Sequence, residues 1–109
     1  MPVHPHLQTP VQLSAVVAVP GTAVPIAAAA LYVRSAEFYA GRDAAANAGN
    51  IFVGDATVDQ AAVKTMEVAP GATVEFPAGP GIMYDLHEYY IDALNAGDGL
   101  RGTYVARAV

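Results

Sequence analysis

A chain of 109 residues has room for one domain around one core, and its 54% hydrophobic content argues against disorder, although much of that fraction is Ala. Ten acidic against five basic residues give a net charge of −5 with no Lys or Arg cluster, which excludes an electrostatic footprint for DNA or RNA. With no cysteine, disulfides and thiolate zinc sites are excluded, and stability must come from packing or assembly.

Met1 to Pro10 carries Pro2, Pro5 and Pro10 with His4 and His6 and shows no periodicity, so it reads as an extended N-terminal arm ahead of a single domain over residues 11–109. Such an arm lies on a neighbour or frays. The opening residues lack the basic and continuous apolar regions of a secretory signal, so the mature chain is expected to begin here. Val11 to Val19 alternates Leu13, Ala15, Val17 and Val19 against Gln12, Ser14, Val16 and Ala18. That pattern predicts a strand that is apolar on both faces toward its end, stopped by Pro20-Gly21. The apolar stretch from Ala15 to Leu31 is broken by Pro20, Gly21, Thr22 and Pro25, which rules out a membrane helix.

Ala30 to Tyr39, rich in aromatic and branched residues, predicts a second strand, and Gly41 to Asn50 a loop. Asn50 to Asp55 reads as a short strand ended by a turn. Thr57 with Gln60 fits a helix capping box, predicting one or two helical turns. Val63 to Val68 and Ala72 to Phe76 flank the turn Ala69-Pro70-Gly71, with Val74 and Phe76 on one face and Thr73 and Glu75 on the other.

Tyr84 to Gly97 fits two patterns. As a helix, Asp85 would cap it and Glu88 would close the box; as a strand, Tyr89, Ile91 and Ala93 face inward while Glu88, Tyr90 and Asp92 face out. The β-favouring run Tyr89-Tyr90-Ile91 selects the strand, joined by the turn Asn95 to Gly99 to a last strand. In that strand Arg101, Thr103, Val105 and Arg107 share one face, and Gly102, Tyr104, Ala106 and Ala108 the other. Seven or eight short strands at this spacing predict an all-β fold, a small sandwich or barrel.

Residues suited to chemistry are sparse. His4 and His6 share one side of an extended segment and His87 would have to join them for a metal site, but no carboxylate lies near the pair in sequence. Asp85 with Glu88, or Asp92 with Asp98, would need to face across a cleft for acid–base work, and a domain this small seldom builds one. Ser14 and Ser35 lie in no nucleophile motif, and Gly79-Pro80-Gly81 is a turn because Pro80 has no N–H for an anion. Asp55, Asp59 and Asp98 lack the spacing of a calcium loop. No catalytic, metal or cofactor site is therefore expected, and no enzyme. Six tyrosines suit an interface or a sugar platform, with Tyr84, Tyr89 and Tyr90 clustered in one segment. The plainer expectation puts Tyr89 and Tyr104 in the core and the other four around its rim.

From Leu31 onward the order of features resembles small virion proteins of tailed bacteriophages. The strand NIFVGD (Asn50 to Asp55) precedes the turn Ala69-Pro70-Gly71, and Asp85 to Ala93 precedes Gly97-Asp98. Met66 stands where such sequences carry Leu, and the first thirty residues match nothing in the pattern. The resemblance implies a β-sandwich, jelly-roll-like, acting as a capsid decoration (cement) protein on the outer surface of the major capsid protein lattice. Such a protein is made in the bacterial cytoplasm and ends in the virion. The strand over Val11 to Val19, apolar on both faces toward its end, needs a neighbour to cover it and so predicts a homo-oligomer, for which the resemblance puts a trimer ahead of a dimer. The acidic charge and the broken apolar stretch leave neither nucleic acid nor membrane as partner. The candidate contacts are Val3, His4 and Leu7 in the arm, Val16, Val17 and Val19 in the first strand, and Tyr84 and Tyr90. The alternatives are a tail, fibre or receptor-binding module, or a carbohydrate-binding sandwich that uses its surface tyrosines.

Overall fold

The computed structural model describes residues 10–42, 45–62 and 66–106. The arm expected at the N-terminus lies outside the described residues except for Pro10. Among the described residues there is no helix. The strands are β1 (Pro10–Val16), β2 (Val24–Pro25), β3 (Tyr32–Tyr39), β4 (Gly41–Arg42), β5 (Ala45–Ala46) and β6 (Ile51–Gly54). They continue as β7 (Met66–Val68), β8 (Thr73–Phe76), β9 (Tyr84–Asp85), β10 (Tyr90–Ala93) and β11 (Gly99–Ala106).

Two antiparallel sheets form a sandwich. One has the order β1-β11-β3-β8, with β9 also paired to β3; the other has the order β2-β10-β6-β7. Strand β1 pairs with β11, β2 with β10, β3 with β8 and β6 with β7. These pairs nest like the rungs of one long hairpin that has been folded over, which is the connectivity of a jelly roll. The expected all-β, jelly-roll-like sandwich is the fold of the chain.

Alternation builds the core between the sheets. In the first sheet the inward rows set Leu13 opposite Gly102, Phe38 and Val74, and Ala15 opposite Leu100. In the second sheet Ile91 faces Val53, and Ala93 faces Ile51, which faces Val68. All of these are buried except Leu13, which is half-buried, and Gly102. Phe76 joins them through edge-to-face contacts with Phe38, Tyr84 and Tyr89.

Gly102 has a specific packing role. A Cβ there would overlap the carbonyl oxygen of Glu37 and approach Phe38 Cα to 2.8 Å, so the missing side chain is what lets β3 close on β11. Gly102→Ala is expected to lower stability by about 2 kcal/mol through overpacking, read as a lower urea midpoint with unchanged slope. An unchanged midpoint would show that the strands can part without cost.

Several sequence expectations change in three dimensions. Strand β1 ends at Val16 rather than Val19. Its pairing is continued by Val17, whose N–H donates to Asp98 O and whose carbonyl accepts from Gly97 N–H. The capping box at Thr57 and Gln60 starts no helix. The Asp55 carboxylate accepts from the N–H and the hydroxyl of Thr57, and Asp59 accepts from Ala61 and Ala62 N–H, so consecutive side-chain turns replace a helical ladder. Gly41 to Asn50, expected as loop, contains the small β4–β5 hairpin. The strand expected over Val63 to Val68 is described from Met66. The segment from Tyr84 is extended, as expected, but β9 and β10 are separate strands divided by a turn in which Glu88 N–H donates to Asp85 O.

Candidate binding surfaces and buried carboxylates

Asp92 was expected to face out, and it is fully buried. It does point away from the main core, since its neighbours Ile91 and Ala93 point in, but loops cover that side. Its carboxylate accepts from Gly21 N–H at 3.0 Å, Gln60 N–H at 2.7 Å and Ala93 N–H at 2.9 Å. One side chain thus fastens the turn after β1 and the loop after β6 to β10. Its cross-strand neighbour Phe52 is also buried, outside the main cluster, so the outer face of this sheet has a small covered layer of its own.

Asp98 is likewise fully buried and accepts from Ala48 and Gly49 N–H, each at 3.0 Å. Beside it, the Asn47 side chain donates to Gly99 O at 2.9 Å and accepts from Gly99 N–H at 3.0 Å. The two side chains lock the 47–49 segment against the start of β11. Asn47→Ala is expected to cost about 2 kcal/mol, because it leaves a buried N–H and C=O of Gly99 without their partners. Chemical denaturation checks this, and a loss below about 0.5 kcal/mol would mean that water replaces the amide.

Of the carboxylate pairs weighed for acid–base work, Asp92 and Asp98 are both fully buried, and in the other pair Glu88 is exposed. Asp92 and Asp98 are tied to different backbone segments, and Asp85 accepts from Leu31 N–H at 2.9 Å and His87 N–H at 3.0 Å. The Leu31 bond holds Asp85 below its ordinary value of 3.8, against partial desolvation and with help from His87. The Thr57 hydroxyl and N–H do the same for Asp55. A depressed carboxylate contributes stability that is fully present above its unfolded value and lost as pH falls through its folded one. The stability profile is therefore expected to drop below pH 3.8, less steeply in Asp85→Asn; equal slopes would refute the assignment.

Among the described residues no three His, Cys, Asp or Glu side chains gather as a metal site. His87 has its Nδ1 2.9 Å from Ala27 O, while His4 and His6 lie outside the described residues.

Of the candidate contacts, Val3, His4 and Leu7 lie outside the described residues. Val16 and Val19 are exposed, at 55% and 61%, at the end of the sandwich where β1 finishes. Exposed Leu94 follows β10 at the same end, in the segment that Val17 ties to β1. Val17 itself is fully buried in the core, so it is not a surface contact. Tyr84 is half-buried, with its ring 5.2 Å from that of Phe76 and its hydroxyl donating to Pro77 O. Tyr84 and Tyr89 therefore pack with the core and offer no flat platform. Tyr104 also packs against the core; Tyr39 and Tyr90 are half-buried and Tyr32 is exposed.

The outer face of the β1-β11-β3-β8 sheet has two polar rows that sequence reading did not assemble. Gln12 lies opposite Thr103, Glu37 and Glu75, and Ser14 opposite Arg101, Tyr39 and Thr73. Gln12, Ser14, Tyr39, Arg101 and Thr103 border an open depression of about 550 Å³, with the Arg101 guanidinium 5.3 Å from the Tyr39 ring centre. The period-two pattern of each strand was visible, but not the order in which the strands lie side by side.

The chain matches no known protein family, no characterised protein and no solved structure with which it was compared.

Proposed function

We propose that this chain is a structural binding module of a bacteriophage virion: a decoration protein that sits, as a homo-oligomer, on the outer surface of the major capsid protein lattice. The observation that carries the reading is the apolar end of the sandwich. Val16, Val19 and Leu94 are left exposed there on a fold whose buried carboxylates, Asp92 and Asp98, are held by backbone amides. Exposed apolar groups at one end of a sandwich favour docking on another protein. The jelly roll is also a frequent fold of capsid-associated domains, which is an argument by analogy of fold.

The test is the composition of virions from the genome that encodes the chain. Decoration predicts the protein on purified heads at a copy number proportional to the capsid protein, with Val19→Glu/Leu94→Glu binding at least about tenfold more weakly while keeping its circular dichroism spectrum. Absence from the particle would sink the reading, and a handful of copies would move it to the tail or fibre.

A second reading rests on the depression around Tyr39 and Arg101, whose aromatic ring, hydroxyls and amide suit a carbohydrate. Glycan-array binding abolished by Tyr39→Ala would favour it over decoration.

A further inference from the structure

The geometry points to β1 as a self-pairing edge: we propose that two copies of this chain associate through antiparallel β1–β1 addition, which joins their first sheets into one continuous sheet. The strands at the edges of the two main sheets differ in a way that decides which can pair. Strand β9, beside β8 on the far edge of the first sheet, is only two residues long and ends in Asp85. Strand β8 carries Glu75 directly opposite Glu37, and β7 carries Glu67. Strand β2 is two residues long and includes Pro25, which has no N–H to donate. Strand β1 runs for seven residues, Pro10–Val16, with no charged side chain, and its edge away from β11 has no strand partner among the described residues.

Natural edges are normally guarded by charge, proline, brevity or a bulge. The other edge strands each show such a guard. After Pro10, β1 has none, and it presents Val11 and Val16 at 41% and 55% exposure. In a chain of net charge −5 a neutral strip is the surface that a second copy can approach with least repulsion, and a strand that pairs antiparallel with itself satisfies two-fold symmetry directly. Seven residues span roughly 23 Å, so the main-chain ladder alone buries less than the ~800 Å² per partner of a standard interface. Val11 and Val16 supply the remaining apolar contact, and the association is expected to be reversible and concentration-dependent.

The pairing rests on the oligomeric part of the reading above and not on the identity of the capsid. Sedimentation velocity is expected to show the full chain shifting from 11.2 kDa toward twice that mass as concentration rises. Val11→Lys/Val16→Lys is expected to stay monomeric with an unchanged circular dichroism spectrum. The chain has no native cysteine, so Gln12→Cys/Ser14→Cys gives a clean second probe. Any register centred on residues 12 to 14 brings thiols of the two copies within disulfide reach, and mild oxidation should yield a covalent dimer, while Glu75→Cys should not. A full chain that is monomeric at high concentration, or a dimer that survives the paired lysines, would overturn the proposal. So would dimerisation seen only after residues 1–9 are deleted, since the chain's own segment would then cover the edge. A β1-linked dimer that binds no capsid would sink the decoration reading and leave this one standing.

Discussion

Phe76→Ala is expected to destabilise the protein by about 4 kcal/mol, close to the upper end for a large-to-small change in a core. Phe76 is 6% exposed, and its ring lies 6.0 Å from Phe38, 5.2 Å from Tyr84 and 4.9 Å from Tyr89, all with planes near perpendicular. Each edge-to-face contact adds roughly 0.5–1.5 kcal/mol beyond buried area, and a cavity among fixed β-strands cannot collapse easily. A domain of this size has about 5–15 kcal/mol in total, so the variant should be near the limit of folding at 37 °C. Urea denaturation gives the loss. Near-UV circular dichroism gives the packing, since with no tryptophan the tyrosines dominate that signal. Phe76→Leu should recover part of the loss, and Tyr32→Ala, at a side chain 55% exposed, should cost less than about 0.5 kcal/mol. A Phe76→Ala variant within about 1 kcal/mol of the parent would show that the aromatic cluster does not organise the core.

Asp92→Ala is expected to cost about 3–4 kcal/mol, comparable to Phe76→Ala but for a different reason. Removing the carboxylate leaves the buried Ala93 N–H and the part-buried N–H groups of Gly21 and Gln60 without their acceptor; an unpartnered buried donor costs roughly 1–3 kcal/mol, and one that water reaches costs less. Asp92→Asn is not expected to restore the parent's stability. One of its two terminal atoms becomes an NH2 donor facing backbone donors, whereas the bonds present use both carboxylate oxygens as acceptors. Amide hydrogen exchange separates local from global effects. In both variants protection at Gly21 and Gln60 should fall well before that of β11, and equal protection at those amides would refute the tethering role.

The strands were legible wherever alternation met one covered face. Leu13 and Ala15, Val74 and Phe76, and Gly102 and Tyr104 point inward as their period of two requires, and Pro-Gly and Asn-Ala-Gly turns separate the segments. The absence of charge along β1 is also a property of sequence alone. The tertiary structure decided what local pattern does not encode. Alternation assigns Asp92 to the face opposite Ile91 but cannot say that loops more than thirty residues away in sequence will close over that face. The same holds for Asn47, whose side chain meets Gly99 across 52 positions. At Thr57 the capping signal lost because the Gln60 N–H that its hydroxyl would have accepted donates to Asp92 instead, while the Thr57 N–H and hydroxyl donate back to Asp55. Sequence thus determined the all-β class, the faces of its strands and its lack of disulfides, since these follow from residue type and short-range spacing. Which strands are edges, which polar groups are buried and which valines reach solvent depended on contacts distant along the chain, and only the assembled sandwich brings those together.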